Sequence, residues 1–211
     1  MRIAIVLFDG LTALDAVGPY EVLARLPGAD VQFLAAQPGP KRTDDGRLSL
    51  VADRALAQEP TPEVVLVPGG RGTRGLLTDA ELLEWISHAH QQSTWTTSVC
   101  TGSLLLAAAG VLDGLEATTH WLELQTLARY GARPVSARVV EQGKVITAAG
   151  VSAGIDMALM LAERIAGRDV AQAIQLSIEY DPQPPFESGS PEKAPREVVE
   201  LVKRAAPRSE R

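Results

Sequence analysis

The chain has 211 residues, 45% hydrophobic and 22% charged, with a net charge of −6; that is enough for one substantial core and does not require a second domain. The acidic balance leaves no electrostatic footprint for nucleic acid, and no run approaches the roughly 20 apolar residues that span a bilayer. A single cysteine excludes an internal disulfide, and Asp9-Gly10 interrupts the apolar start too early for a signal peptide, so a cytoplasmic setting is expected.

Residues 2–8 read as a buried strand, and the spacing of Leu14, Val17, Val22 and Leu23 predicts a helix over 12–26. A second strand follows over 31–36, and a weakly alternating hairpin arm over 47–56. The apolar run 63–67 stops at Pro68-Gly69-Gly70, and a helix is predicted over 76–92. A β-rich run of Thr, Trp and Val then meets Cys100, after which an Ala/Leu-rich helix closes at Gly110. Beyond lie an extended piece at 117–120, a helix over 121–129, strands near 138–141 and 144–148, and helices over 152–165 and 170–178. Near-continuous apolar strands alternating with helices predict an α/β fold, a mostly parallel sheet sandwiched by helices.

The segment Asp181-Pro182-Gln183-Pro184-Pro185-Phe186 resists helix and strand alike, because proline fixes φ and removes a donor. It reads as a linker or an extended arm. Residues 191–211 form a short charged helix or tail, too little chain for a DNA-binding helical domain. The expected division is one domain over 1–190, including the arm 181–190, and a tail over 191–211.

Ligands of open parallel sheets bind beyond the carboxyl ends of the strands. Those ends here deliver Asp9-Gly10 and then Asp15, Gly69-Gly70, and Cys100. Cys100 is either a small buried hydrophobe or a nucleophile on a strand-to-helix elbow, which Gly102 and Ser103 leave room to form. In the second case the helix N-terminus would lower the thiol pKa from its ordinary ~8.5. Gly69 and Gly70 make a tight turn, or bring backbone amides up to a reacting atom as an anion-stabilising pair. Thr12-x-x-Asp15 matches a capping box; alternatively, Asp15 beside a thiolate has its pKa raised and serves as a general acid. His120 completes a Cys/His pair or simply packs beside Trp121. No clustered Cys/His ligand set for a metal is visible.

The segments Val99-Cys100-Thr101-Gly102-Ser103, Pro68-Gly69-Gly70, Ala117-Thr118-Thr119-His120-Trp121 and Ala148-Ala149-Gly150-Val151-Ser152-Ala153-Gly154-Ile155-Asp156 resemble the ThiJ/PfpI superfamily over nearly the whole chain. Leu14-Asp15, Gly18-Pro19, the Glu179 to Phe186 segment and Gly189-Ser190-Pro191 narrow the likeness to its isonitrile hydratases. Members similar to intracellular proteases carry histidine after the cysteine, where Thr101 stands here. Glyoxalase-like and chaperone-like members place a glutamate opposite the cysteine, where Asp15 stands. Amidotransferase-like regulators share the 148–156 motif but append a helix-turn-helix domain.

This resemblance implies a flavodoxin-like, class I glutamine amidotransferase-like fold. It also implies a cofactor-free, metal-free hydro-lyase that converts an isonitrile to an N-substituted formamide through a cysteine thioimidate. Cys100, Asp15 and Thr101 would be catalytic, with Gly69, Gly70, Gly102 and His120 around substrate. A homodimer acting on a small molecule is implied, without a nucleic-acid or membrane partner. Two other readings remain open: glyoxalase- or deglycase-like chemistry on reactive carbonyls, and a non-catalytic redox sensor whose Cys100 oxidises to a sulfinic acid.

Overall fold

Runs such as residues 64–67, Val-Val-Leu-Val, have no polar face, so they are stable only when covered on both sides. A computed structural model describes residues 1–206 and places that run at the centre of a sheet. In chain order the strands are β1 (Arg2–Val6), β2 (Asp30–Ala35), β3 (Gly39–Arg42), β4 (Ser49–Ala52), β5 (Arg54–Ala55), β6 (Val64–Val67), β7 (Trp95–Val99), β8 (Glu116–Ala117), β9 (Arg133–Pro134), β10 (Val139–Gln142) and β11 (Val145–Ala148). The helices are α1 (Ala13–Leu23), α2 (Thr73–Leu76), α3 (Ala80–Gln92), α4 (Gly102–Ala108), α5 (Leu124–Arg129), α6 (Ala153–Ala166), α7 (Arg168–Ser177) and α8 (Arg196–Ala205).

The main sheet has the order β10-β11-β7-β6-β1-β2-β5. Every neighbouring pair is parallel except β10 with β11. The chain leaves β1 toward β2 on one side and returns as β6 on the other, so the carboxyl ends of β1 and β6 flank the point where strand order reverses. Residues 64–67 and 145–148 are buried throughout, as the apolar runs require. One group of helices stacks α1 on α6 and α6 on α7; in another, α3 and α5 pack on α4. The expected α/β sandwich is therefore the fold.

Local differences from the sequence reading have identifiable causes. The helix expected over 76–92 begins only at Ala80, because Asp79 caps α3 by accepting a hydrogen bond from the Leu82 amide at 3.1 Å, and the short α2 precedes it. Helix α1 runs from Ala13 to Leu23, inside the expected span, and carries Pro19 within it. Helices α6 and α7 are nearly continuous, separated by Gly167 at φ +85°, a conformation glycine adopts without strain.

The chain divides into two compact units, Met1–Ile178 and a second that begins at Glu179. In the second, the Lys193 and Ala194 amides donate to the Ser190 carbonyl at 3.1 and 2.9 Å and lead into α8. Glu197 sits in the first turn of α8 and Lys203 and Arg204 in its last, the arrangement that complements a helix dipole. Residues 207–211 of the predicted tail lie outside the described residues.

Candidate active site

Strand β7 ends at Val99, and the next residue turns sharply. Cys100 has φ +56°, a left-handed conformation costing an L-residue roughly 1–2 kcal/mol. Hydrogen bonds on both sides hold it there. The Cys100 amide donates to the Ala148 and Ala149 carbonyls at 3.0 Å each. Its carbonyl accepts from the Ser103 hydroxyl at 3.1 Å and the Thr119 hydroxyl at 3.0 Å. A constrained, unusual backbone of this kind is where a fold aims a reactive side chain.

Gly102 and Gly69 make the approach possible. A Cβ on Gly102 would lie 2.0 Å from the Val67 carbonyl oxygen. One on Gly69 would lie 2.5 Å from the Thr101 nitrogen and 2.9 Å from the Cys100 Cβ. Gly102→Ala is expected to destabilise the protein by roughly 3 kcal/mol through backbone displacement, lowering Tm by roughly 6–12 °C. Thermal unfolding followed by circular dichroism checks this; an unchanged Tm would show that the turn tolerates a side chain.

Helix α1 carries Asp15, and the loop after β6 holds its carboxyl beside the cysteine. Asp15 is fully buried, and its Oδ2 accepts a hydrogen bond from the Gly69 amide at 2.9 Å. Oδ1 has no hydrogen-bond partner, an unusual state for a buried carboxyl oxygen. Burial pushes the Asp15 carboxyl up to about 7; the Gly69 hydrogen bond and the neighbouring Cys100 thiol oppose the shift, and the charge of Asp44 adds to it. The capping box does not form. Thr12 makes no side-chain cap, and its hydroxyl donates to Asp44 Oδ2 at 2.9 Å.

Cys100 is 6% exposed. Burial, then the neighbouring Asp15 charge, push its thiol up to about 12, against the lowered value expected from a helix N-terminus. Desolvation of a thiolate outweighs the local dipole. Two backbone amides oppose the rise by pointing at the sulfur, those of Thr101 and Val151.

Val151 had no role in the sequence reading. It adopts φ +37°, strained for a β-branched residue, and follows β11, which lies beside β7 in parallel register. The only local hint was the run of small residues before α6.

Thr101 links the two loops. Its hydroxyl accepts from the Gly70 amide at 2.9 Å and lies 3.2 Å from the Thr73 hydroxyl, which itself donates to the Gly70 carbonyl at 2.8 Å. The Gly69 and Gly70 amides thus already have partners, Asp15 and Thr101. Gly70 also needs its missing side chain: at φ +137° a Cβ would lie 2.3 Å from the Gly10 carbonyl oxygen.

His120 packs beside Trp121, with ring centroids 5.9 Å apart, and its Nδ1 accepts from the Leu122 amide at 3.4 Å. Its ring also fills the space above Gly150, where a Cβ would come within 2.9 Å of Cδ2. Burial lowers its pKa, Glu123 opposes that, and Arg74 adds to it. The ring therefore flanks the segment leading to Val151. Among the described residues no group of three or more His, Cys, Asp or Glu side chains could hold a metal ion, and no helix is long and apolar enough to cross a membrane.

The arrangement pairs a buried thiol with a buried carboxyl whose proton affinity lies near neutrality, which suits addition across a polar multiple bond. The model of the DJ-1/PfpI family matches residues 1–164. Isonitrile hydratase from Pseudomonas putida is 45% identical over 98% of this chain and 91% of its own length. The HTH-type transcriptional regulator CdhR from Pseudomonas aeruginosa is 30% identical over 82% of this chain, which spans 52% of that protein. A solved ThiJ/PfpI family protein from Pseudomonas syringae superposes with TM-score 0.92 at 38% identity, covering 96% of this chain and 86% of that one. Drosophila melanogaster DJ-1beta, at 21% identity and TM-score 0.77, covers 84% of this chain and 97% of that one and shares the fold. A match of that extent makes this chain a member of the DJ-1/PfpI family.

Proposed function

We propose that the protein hydrates isonitriles, R–N≡C, to N-substituted formamides, with Cys100 as nucleophile and Asp15 as proton carrier. The observation that carries this reading is the pairing of a buried thiol with a buried carboxyl raised to about 7, on a chain 45% identical to an isonitrile hydratase. Between the two titrations the pair holds one proton, resting on sulfur.

As the Cys100 sulfur attacks the terminal carbon, its proton passes to Asp15. A C–S bond forms, and Asp15 then protonates the carbon lone pair, giving the thioimidate R–N=CH–S–Cys100. Water adds to that carbon, losing a proton to Asp15. The nitrogen is protonated, the C–S bond breaks, and R–NH–CHO leaves as the thiol is restored.

The Thr101 and Val151 amides stabilise the charge that develops on sulfur. Gly69, Gly70 and Gly102 serve by lacking side chains, and the Thr101 hydroxyl holds the Gly70 loop. His120 forms a wall of the substrate site. A redox sensor is less well supported, because oxidation favours an exposed thiolate and Cys100 is neither exposed nor readily ionised.

The test offers a simple alkyl and a simple aryl isonitrile to the purified protein and follows the formamide by mass spectrometry. Product above a protein-free background is expected. None with either substrate would sink the reading.

A further inference from the structure

The β3–β4 hairpin, which the mechanism does not use, reaches the active-site loops with its tip. The Gly10 amide donates to the Arg42 carbonyl at 2.7 Å, the Arg42 amide to Asp9 Oδ1 at 2.8 Å, and the Asp44 amide to the Leu11 carbonyl at 2.9 Å. The Asp44 carboxylate then accepts the Thr12 hydroxyl at 2.9 Å. Thr12 bonds onward, its amide donating to the Gly69 carbonyl at 2.9 Å, while the Gly69 amide holds Asp15. A single chain of hydrogen bonds therefore runs from Asp44 through Thr12 and Gly69 to the proton carrier.

We propose that Asp44 is a positioning residue for Asp15: anchored through Thr12, it fixes the loop that orients the carboxyl toward Cys100. The inference rests on the reading of Asp15 given above.

Charged groups on the neighbouring elements have other partners. On α1, Glu21 pairs with Arg25; on α6, Asp156 pairs with Arg138 and Arg164 with Glu141. On the hairpin, Asp45 accepts from the Thr43 hydroxyl and the Arg47 amide, and the Arg42 guanidinium donates to the Gly46 carbonyl. At the start of β1, Arg2 pairs with Glu59 and Glu63, and Arg74 on α2 pairs with Glu123. Apart from Asp44, the ionisable group bearing on the Asp15 carboxyl is Cys100.

An upward push from Asp44 suits a group that must first take a proton from a reluctant thiol and then give it up. Proton transfer from sulfur is less uphill when the acceptor binds the proton more strongly.

The experiment is a carbon-13 NMR titration of the Asp15 carboxyl in the full-length protein, compared with Asp44→Asn and Asp45→Asn. Asp44→Asn keeps an oxygen for Thr12 but removes the charge. It is expected to move the Asp15 midpoint down by about half a pH unit, with Asp45→Asn leaving it in place. In isonitrile turnover the acid limb of kcat/KM should move down equally, and the plateau should fall about twofold.

Asp44→Ser gives the same reading if the amide variant does not fold. An unmoved midpoint, or an equal shift in Asp45→Asn, overturns the inference. The titration needs no substrate, so a shifted midpoint without formamide release overturns the hydratase reading alone.

Discussion

Cys100→Ala is expected to lower formamide release from an isonitrile by at least about 10⁴-fold, to the level of the uncatalysed reaction. The substitution keeps the Cβ, so the left-handed backbone at φ +56° faces the same steric demand as before. The hydrogen bonds that fix the elbow come from the backbone of residue 100 and are retained. Loss of rate with an unchanged Tm would therefore report the sulfur and not the fold. Acid-quenched intact mass spectrometry adds an independent readout: the wild type should carry one added isonitrile mass during turnover, and the variant none. Substantial activity in Cys100→Ala would overturn the covalent route and leave Asp15 activating water directly.

Asp15→Asn is expected to reduce kcat/KM by about 10²–10⁴-fold, the usual range for a positioned acid–base group. The pH profile gives the sharper test. In the wild type the competent pair holds one proton, so the rate should rise through the Asp15 titration at about 7 and then level. Asp15→Asn removes that limb along with the rate.

Stability should move the other way. The folded-state value of about 7 lies above the ordinary 3.8, so between roughly pH 4 and 7 the folded state holds a proton that the unfolded state releases. The wild type therefore loses stability as pH rises through that window, by about 4 kcal/mol at most. Asp15→Asn, uncharged at every pH, should lose less stability over the same range. Urea unfolding at pH 5 and pH 8 compares the two proteins. An equal change in both would show that Asp15 does not carry the shift.

The sequence was most informative where local chemistry decides the outcome. The apolar run at 64–67 has no polar face and has to be a central strand. The switch from β-formers to Ala and Leu at Cys100 marks the elbow, and Gly102 marks a turn with no space for a side chain. Thr12 and Asp15 show where local reasoning stops. Their spacing suits a capping box, but Asp44 and the Gly69 amide take both side chains. A local bond worth about a kilocalorie yields to a buried network that satisfies more groups.

By itself, then, the sequence determined the alternation of strands and helices, the parallel sheet and the site of the cysteine. These follow from side-chain period and backbone propensity, which act over a few residues. Only the tertiary structure decided the state of the thiol and the identity of its neighbours. Pairing β11 with β7 set the Val151 amide against the sulfur, although the two residues are far apart in the chain. Packing of the helices and loops around Cys100 and Asp15 withdrew both from water. That burial, not the helix end beside it, raised both proton affinities, because desolvation depends on everything packed around a group and cannot be read from its neighbours in sequence.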